Sequence, residues 1–158
     1  MKLPDPQSSP FSALISDIEK GLIKIPQFQR DFVWDLTKSA NLMDSIVKGY
    51  PIGTFIFWKT KERLRSIRNI GGVELPEPIA GDFVYFVLDG QQRLTSLFAS
   101  LKGITIQREN GNEDDYSKMY LDLEASEDDL IVILDIENRN SKSYIRLTDL
   151  LYGGLTLL

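Results

Sequence analysis

From residue 11 the apolar positions recur at helical spacing. Phe11, Leu14, Ile15, Ile18 and Leu22 form one stripe, and Gly21 interrupts it near its end. Ser9 and Pro10 suit the N-cap and first turn of that helix. The period then shortens. Ile23 and Ile25 flank Lys24 in a short strand, which Pro26 stops or confines to an edge. Residues 27–34 alternate aromatic with polar side chains, as if one side packs and the other faces a cleft. Asp35 or Thr37 caps a second helix. Its buried face is Leu36, Ala40, Met43 and Val47, flanked by Ile46 and Tyr50, and Gly49 and Pro51 end it. Phe55, Ile56, Phe57 and Trp58 are apolar on both faces, which predicts a central, doubly covered strand.

Residues 64–70 read as a more polar edge strand, and residues 71–82 as a loop rich in glycine and proline. Residues 83–88 form an apolar, aromatic run suited to a buried strand. Leu94, Leu97, Phe98 and Leu101 follow at helical spacing, closed by Gly103. Residues 104–107 and 119–123 are expected to pair as a hairpin across an acidic loop containing Asn110, Gly111 and Asn112. Residues 130–136 are β-prone, and residues 144–147 are a weaker strand. Thr148 starts a short helix over residues 149–152. No repeat or linker divides the chain, so residues 1–158 read as a single domain. The class is α+β: a small mixed β-sheet with packed helices, strands 55–58 and 83–88 being central.

The chemistry gathers between the second of those strands and its helix. Asp89, Gly90, Gln91, Gln92 and Arg93 occupy a strand-to-helix turn. The first N–H groups of a helix lack internal partners, and its dipole favours negative charge there, so such an end suits a phosphate. Gly90 permits close approach to the backbone. Gln91 and Gln92 add amide donors, and Arg93 adds a planar fork of N–H groups. Asp89 is repelled by a phosphate unless it caps the helix, holds a metal or positions water. A plainer alternative is a capping Asp89, a turn glycine and solvated glutamines. For the earlier aromatic stretch, the plain alternative is a half-buried loop anchored by Trp34, with Arg30 paired to Asp31 or Asp35.

Composition narrows the options. With 42% hydrophobic and 26% charged residues, the 158-residue chain can build one core. It has no cysteine and no histidine. That excludes disulfides, cysteine- or histidine-ligated zinc, Ser–His hydrolysis and His-dependent nuclease chemistry within this chain. Residues 1–10 are polar and proline-rich, unlike a signal peptide, and no apolar run approaches a membrane span. The expected compartment is the cytoplasm. Residues 108–129 carry Arg108 and Lys118 against nine carboxylates, a net of −7, which leaves about +2 for the rest of a chain of formal charge −5. Lys59, Lys61, Arg63, Arg65 and Arg68 form a basic cluster, either a solvated face or the border of a polyanion. The final Gly153, Gly154, Leu155, Thr156, Leu157 and Leu158 are apolar for a terminus. They read as a cut through a larger protein or as a terminal strand docked into the sheet.

Three ordered blocks carry a resemblance. The first runs Ile25-Pro26-Gln27-Phe28-Gln29-Arg30-Asp31-Phe32-Val33-Trp34. The second runs Leu42-Met43-Asp44-Ser45-Ile46-Val47-Lys48-Gly49-Tyr50-Pro51-Ile52-Gly53. The third runs Val87-Leu88-Asp89-Gly90-Gln91-Gln92-Arg93-Leu94-Thr95-Ser96-Leu97. Together they resemble the DGQQR-motif N-terminal domain of GmrSD-type restriction enzymes and related phage-defence proteins, over residues 23–102. That family is similar to the ParB/sulfiredoxin-like fold. The resemblance implies a nucleoside triphosphate pocket lined by Gln29, Arg30, Trp34, Gly90, Gln91, Gln92, Arg93 and Ser96, with Trp34 or Phe32 stacking on the base. It implies Mg²⁺-dependent hydrolysis with Asp89 as metal ligand or water-positioning group, and Asp89 and Arg93 as catalytic residues. It implies DNA as a partner of the full-length protein, a separate C-terminal nuclease domain and a possible homodimer. A non-catalytic nucleotide switch and a DNA-binding adaptor acting through residues 59–68 are the competing readings.

Overall fold

The computed structural model describes residues 3, 5–64 and 67–152. Arg65 of the basic cluster, part of the expected 64–70 strand and the apolar 153–158 end lie outside the described residues, and of Arg68 only the backbone is described. The elements run α1 (Phe11–Glu19), β1 (Ile23–Pro26), α2 (Leu36–Val47), β2 (Ile56–Thr60), β3 (Ile67–Arg68), β4 (Val84–Asp89), α3 (Gln91–Lys102), β5 (Thr105–Gln107), β6 (Glu113–Asp115), β7 (Tyr120–Asp122), β8 (Val132–Ile133), β9 (Tyr144–Arg146) and α4 (Asp149–Tyr152). A small α+β fold with mixed sheets results. The main sheet has the order β2-β4-β1-β3, with β4 parallel to β1 and antiparallel to β2.

Strand β4 is central, as its apolar run predicts. Strand β2 is not: it forms the sheet's edge, with Ile56 46% and Trp58 39% exposed. Its aromatics pack sideways on β4, Trp58 against Phe86 and Phe57 against Tyr85, so they need no second covering layer. On one face of the sheet Ile23, Ile25 and Val87 join Ile15, Ile18, Ala40, Met43, Leu94, Leu97 and Phe98 in the core. Lys24, opposite Phe86 in the parallel register, projects from the other face.

Local endings differ in detail from the sequence pattern. Pro10, not Ser9, is the N-cap of α1, with no side-chain cap. Asp35 does cap α2, accepting from Lys38 N at 2.7 Å. Gly49 and Tyr50 close that helix through bonds to the Ile46 and Ser45 carbonyls. Val47 and Tyr50, expected on the buried face, are exposed, because the helix buries the Ser39-Ala40-Met43-Asp44 side instead.

The hairpin expected from residues 104–107 forms with a different partner. β5 pairs with β6, residues 113–115, and β7 pairs with β8 and β9 in a separate sheet. The short turn around Gly111 closes a smaller loop than pairing with residues 119–123 would. Of residues 130–136, Val132–Ile133 alone is strand.

Asp44 ties that second sheet to α2. Its carboxylate accepts from Ile131 N (2.6 Å) and Val132 N (3.0 Å) and pairs with Lys48 at 2.8 Å. Burial pushes its pKa up, but the Lys48 hydrogen bond and the two backbone N–H groups outweigh burial and hold it below the usual value. A carboxyl depressed in the folded state stabilises above its unfolded pKa of about 3.9 and loses that contribution as pH falls through the folded value. Asp44→Asn should therefore cost about 1–3 kcal/mol at neutral pH, and the loss should shrink as pH falls below about 4. Urea melts of both proteins at pH 7 and pH 3 check this; an equal difference at both would contradict it.

Candidate functional site

Strand β4 ends at Asp89, and Gly90 turns the chain into α3 with φ +93°, in the left-handed region. Gly90 itself is the N-cap, and no side chain caps α3, so the plainer alternative of a capping Asp89 is ruled out. A side chain at residue 90 would not fit: its Cβ would lie 2.6 Å from Phe55 Cδ1. The first helical bond runs from Leu94 N to Gly90 O at 2.9 Å. The N–H groups of Gln91, Gln92 and Arg93 therefore precede the ladder.

A cavity of about 320 Å³ opens at this turn. Gln29, Arg30, Trp34, Asp89, Gly90, Gln91, Gln92 and Arg93 line it. Eight of the nine residues singled out from the sequence thus meet in one place, although Gln91 and Arg30 are 61 positions apart. Ser96 does not join them. It is fully buried, with its hydroxyl 2.9 Å from that of Ser39, which lies 3.0 Å from the Tyr116 hydroxyl. Ser96 lies one turn further along α3, on the side facing α2 rather than the turn.

The two glutamines build the wall. Gln91 Nε2 donates to Arg30 O and Gln92 Nε2 to Asp31 O, each at 2.8 Å, and Gln92 Oε1 accepts from Val33 N at 2.9 Å. Both are buried. They are clamps on the Gln29–Trp34 loop (residues 29–34), rather than solvated side chains. Gln29 Nε2 reaches back to the Val87 and Leu88 carbonyls, so β4 holds the loop from its other end.

Arg93 is also committed to structure. Its Nη1 donates to Ile52 O (2.8 Å) and its Nη2 to Thr54 O (2.9 Å), with the guanidinium 5.0 Å from the centre of the Phe55 ring. Gly53, between the two acceptors, has φ +90°, and a Cβ there would lie 2.8 Å from Arg93 Nη1. Asp89 carries an exposed carboxylate 3.9 Å from Arg93 Nη2, an ion pair of little energetic weight. Arg30 is exposed, and its guanidinium has no ion pair or hydrogen bond among the described residues, to Asp31 and Asp35 included.

Of the aromatic candidates, Phe32 is taken. Its ring lies 6.4 Å from Tyr116 and 4.9 Å from the Arg108 guanidinium. Trp34 is half-buried and lines the cavity, with Lys38 Nζ 4.7 Å from its ring centre.

Arg108 is the residue that the sequence pattern did not single out. It donates to Phe32 O (3.0 Å) and Trp34 O (2.7 Å) and pairs with Asp114 at 2.6 Å, bracing the loop from behind. Burial pushes the pKa of the neighbouring Tyr116 up, which keeps its hydroxyl protonated as part of that brace. Its position beside the Gly111 turn, facing Asp114 across the hairpin, was the available clue.

Among the described residues Asp89 is the lone carboxylate lining the cavity, and they hold no cluster of three metal-ligating side chains. Mg²⁺ is commonly bound through one or two carboxylates plus substrate phosphates, so a single exposed Asp89 fits that mode and not a protein-only cage. No helix among the described residues is long and apolar enough to cross a membrane.

An α+β domain whose central strand turns through Asp-Gly-Gln-Gln-Arg into a helix, with a glutamine-clamped loop across the turn, defines a recognisable class. The family described as the GmrSD restriction endonuclease N-terminal domain matches residues 11–152, and the chain belongs to it. An uncharacterized protein of Methanocaldococcus jannaschii is 35% identical over 92 residues, covering 56% of this chain. The match covers 16% of that relative's length.

Proposed function

We propose that the cavity binds a nucleoside triphosphate and that this domain regulates a restriction or phage-defence protein. One observation carries the reading: the Arg30 guanidinium, unpaired among the described residues, lines the same cavity as the N-terminal end of α3. A phosphate there meets backbone N–H groups, the positive end of the helix dipole and a free fork of donors. Trp34 offers the base an aromatic wall. Mg²⁺, when bound, would shield the phosphate charge, with Asp89 as its protein ligand. Asp89 in this reading also orients the attacking water. Arg93, held by the Ile52 and Thr54 carbonyls, keeps Asp89 and the turn in register and adds positive charge where it develops. In the whole protein, DNA, a C-terminal nuclease region and a second copy of the chain are the partners proposed.

A second reading has a specific support. Arg93 joins the turn to the residues that lead into β2, so a ligand at the turn is coupled to the sheet edge whether or not it is hydrolysed. Asp89→Ala separates the two. Hydrolysis predicts a turnover loss of about a hundredfold or more with binding changed much less. A pure switch predicts no turnover in either protein, measured by phosphate release.

A further inference from the structure

On the sheet face away from the helices lies a second cavity, of about 350 Å³, whose walls include Lys24, Lys61, Arg63, Glu77 and Phe86. Lys24 is unusual for its place. It stands in a wholly buried strand between Ile23 and Ile25, with its side chain 7% exposed. Buried lysines are rare unless paired. Its partner is Glu77, at 2.9 Å, from the loop of residues 71–82, and that carboxylate is itself 65% exposed. The cavity thus brings three cations to one carboxylate, and the carboxylate is the group most easily drawn into water. Neither Glu62 nor Asp82 lines it.

Arg63 is already oriented, donating to Ile79 O and Asp82 O, with N–H groups to spare. Lys61 Nζ lies 5.0 Å from the centre of the Phe83 ring, which is 44% exposed. The floor and sides also carry Leu64 and Pro78, so apolar surface adjoins the charge.

We propose that this cavity is a second anion site, taking the phosphate of a nucleotide, free or within a nucleic-acid strand. The phosphate displaces Glu77 from Lys24 and lies among Lys24, Lys61 and Arg63, while the attached organic group covers the apolar wall. The site is separate from the α3 turn and stands or falls independently of nucleotide binding there.

The test is calorimetric titration of the full chain carrying Arg30→Ala, which is expected to abolish binding at the first site. The probes are inorganic phosphate, adenosine 5′-monophosphate and a short oligodeoxythymidylate. The expected result is binding of the nucleotide more tightly than of inorganic phosphate. Glu77→Gln should tighten it several-fold, because the competing carboxylate is gone. Lys24→Met should weaken it at least tenfold, by loss of a buried charge-assisted contact. Should Lys24→Met fail to fold, the exposed Lys61→Met, read by the same titration, should weaken binding several-fold. Tighter binding of the oligonucleotide assigns the source to a strand, and equal binding to a free nucleotide. No binding of any probe, or binding indifferent to both Glu77→Gln and Lys61→Met, overturns the proposal.

Discussion

Arg93→Ala is expected to lower stability and abolish nucleotide binding at the α3 turn together, whereas Arg30→Ala should abolish binding at that turn alone. The two arginines line one cavity but have opposite commitments. Arg93 makes two charge-assisted bonds to the Ile52 and Thr54 carbonyls and lies against Phe55, with its side chain 19% exposed. Hydrogen bonds to charged groups contribute about 1.5–3 kcal/mol each, and partial exposure lets water recover part of that, so the expected loss is about 2–4 kcal/mol. Lysine should not rescue, because a single ammonium lacks the planar fork that reaches both carbonyls. Arg30 is exposed with no partner among the described residues, so its removal should move stability by no more than about 0.5 kcal/mol. Urea melts and titrations of both variants check the split. Equal destabilisation by the two would mean that Arg30 has a structural role the geometry does not provide.

Gln92→Leu is the second large effect. Leucine is close to glutamine in volume, so the buried site stays filled while the bonds to Asp31 O and Val33 N disappear. Asp31 and Val33 are exposed, so the abandoned backbone groups reach water, and the stability loss should be modest, about 1–2 kcal/mol. Binding should suffer more, by tenfold or greater, because the loop that carries Arg30 and Trp34 loses its clamp. Trp34 emission, compared by difference with a Trp34→Phe control, reports the loop's release. A variant with wild-type affinity would show that the clamp is dispensable.

The pattern of polar and apolar positions located the turn, the central strand β4 and the helices, while the meeting of residues 29–34 with the turn came from the family resemblance. The first three were legible because they are local: a glycine between strand and helix, and a capping Asp35 before an apolar stripe. What escaped it depends on distant partners. Phe57 and Trp58 look doubly buried in sequence, yet cross-strand packing on Tyr85 and Phe86 lets an edge strand carry them. Gln91 and Gln92 look like ligand donors. They are buried by a loop some sixty residues away, and no period in the chain encodes that. Ser96 follows the motif closely in sequence, but the helical turn rotates it into the α2 interface. Arg108 was hidden among acidic neighbours, and its role emerges once β5 pairs with β6 rather than with residues 119–123.

In the function proposed, the α3 turn and Arg30 together hold a nucleotide. Calorimetric titration of the chain with ATP, GTP, CTP and UTP, with and without Mg²⁺ and beside Arg30→Ala, tests it most directly. Expected is Mg²⁺-strengthened binding of at least one nucleoside triphosphate at the α3 turn, lost in the Arg30→Ala protein while its melting temperature is unchanged. Absence of Mg²⁺-strengthened binding to the folded chain, or Mg²⁺-strengthened binding that Arg30→Ala leaves intact, would contradict it.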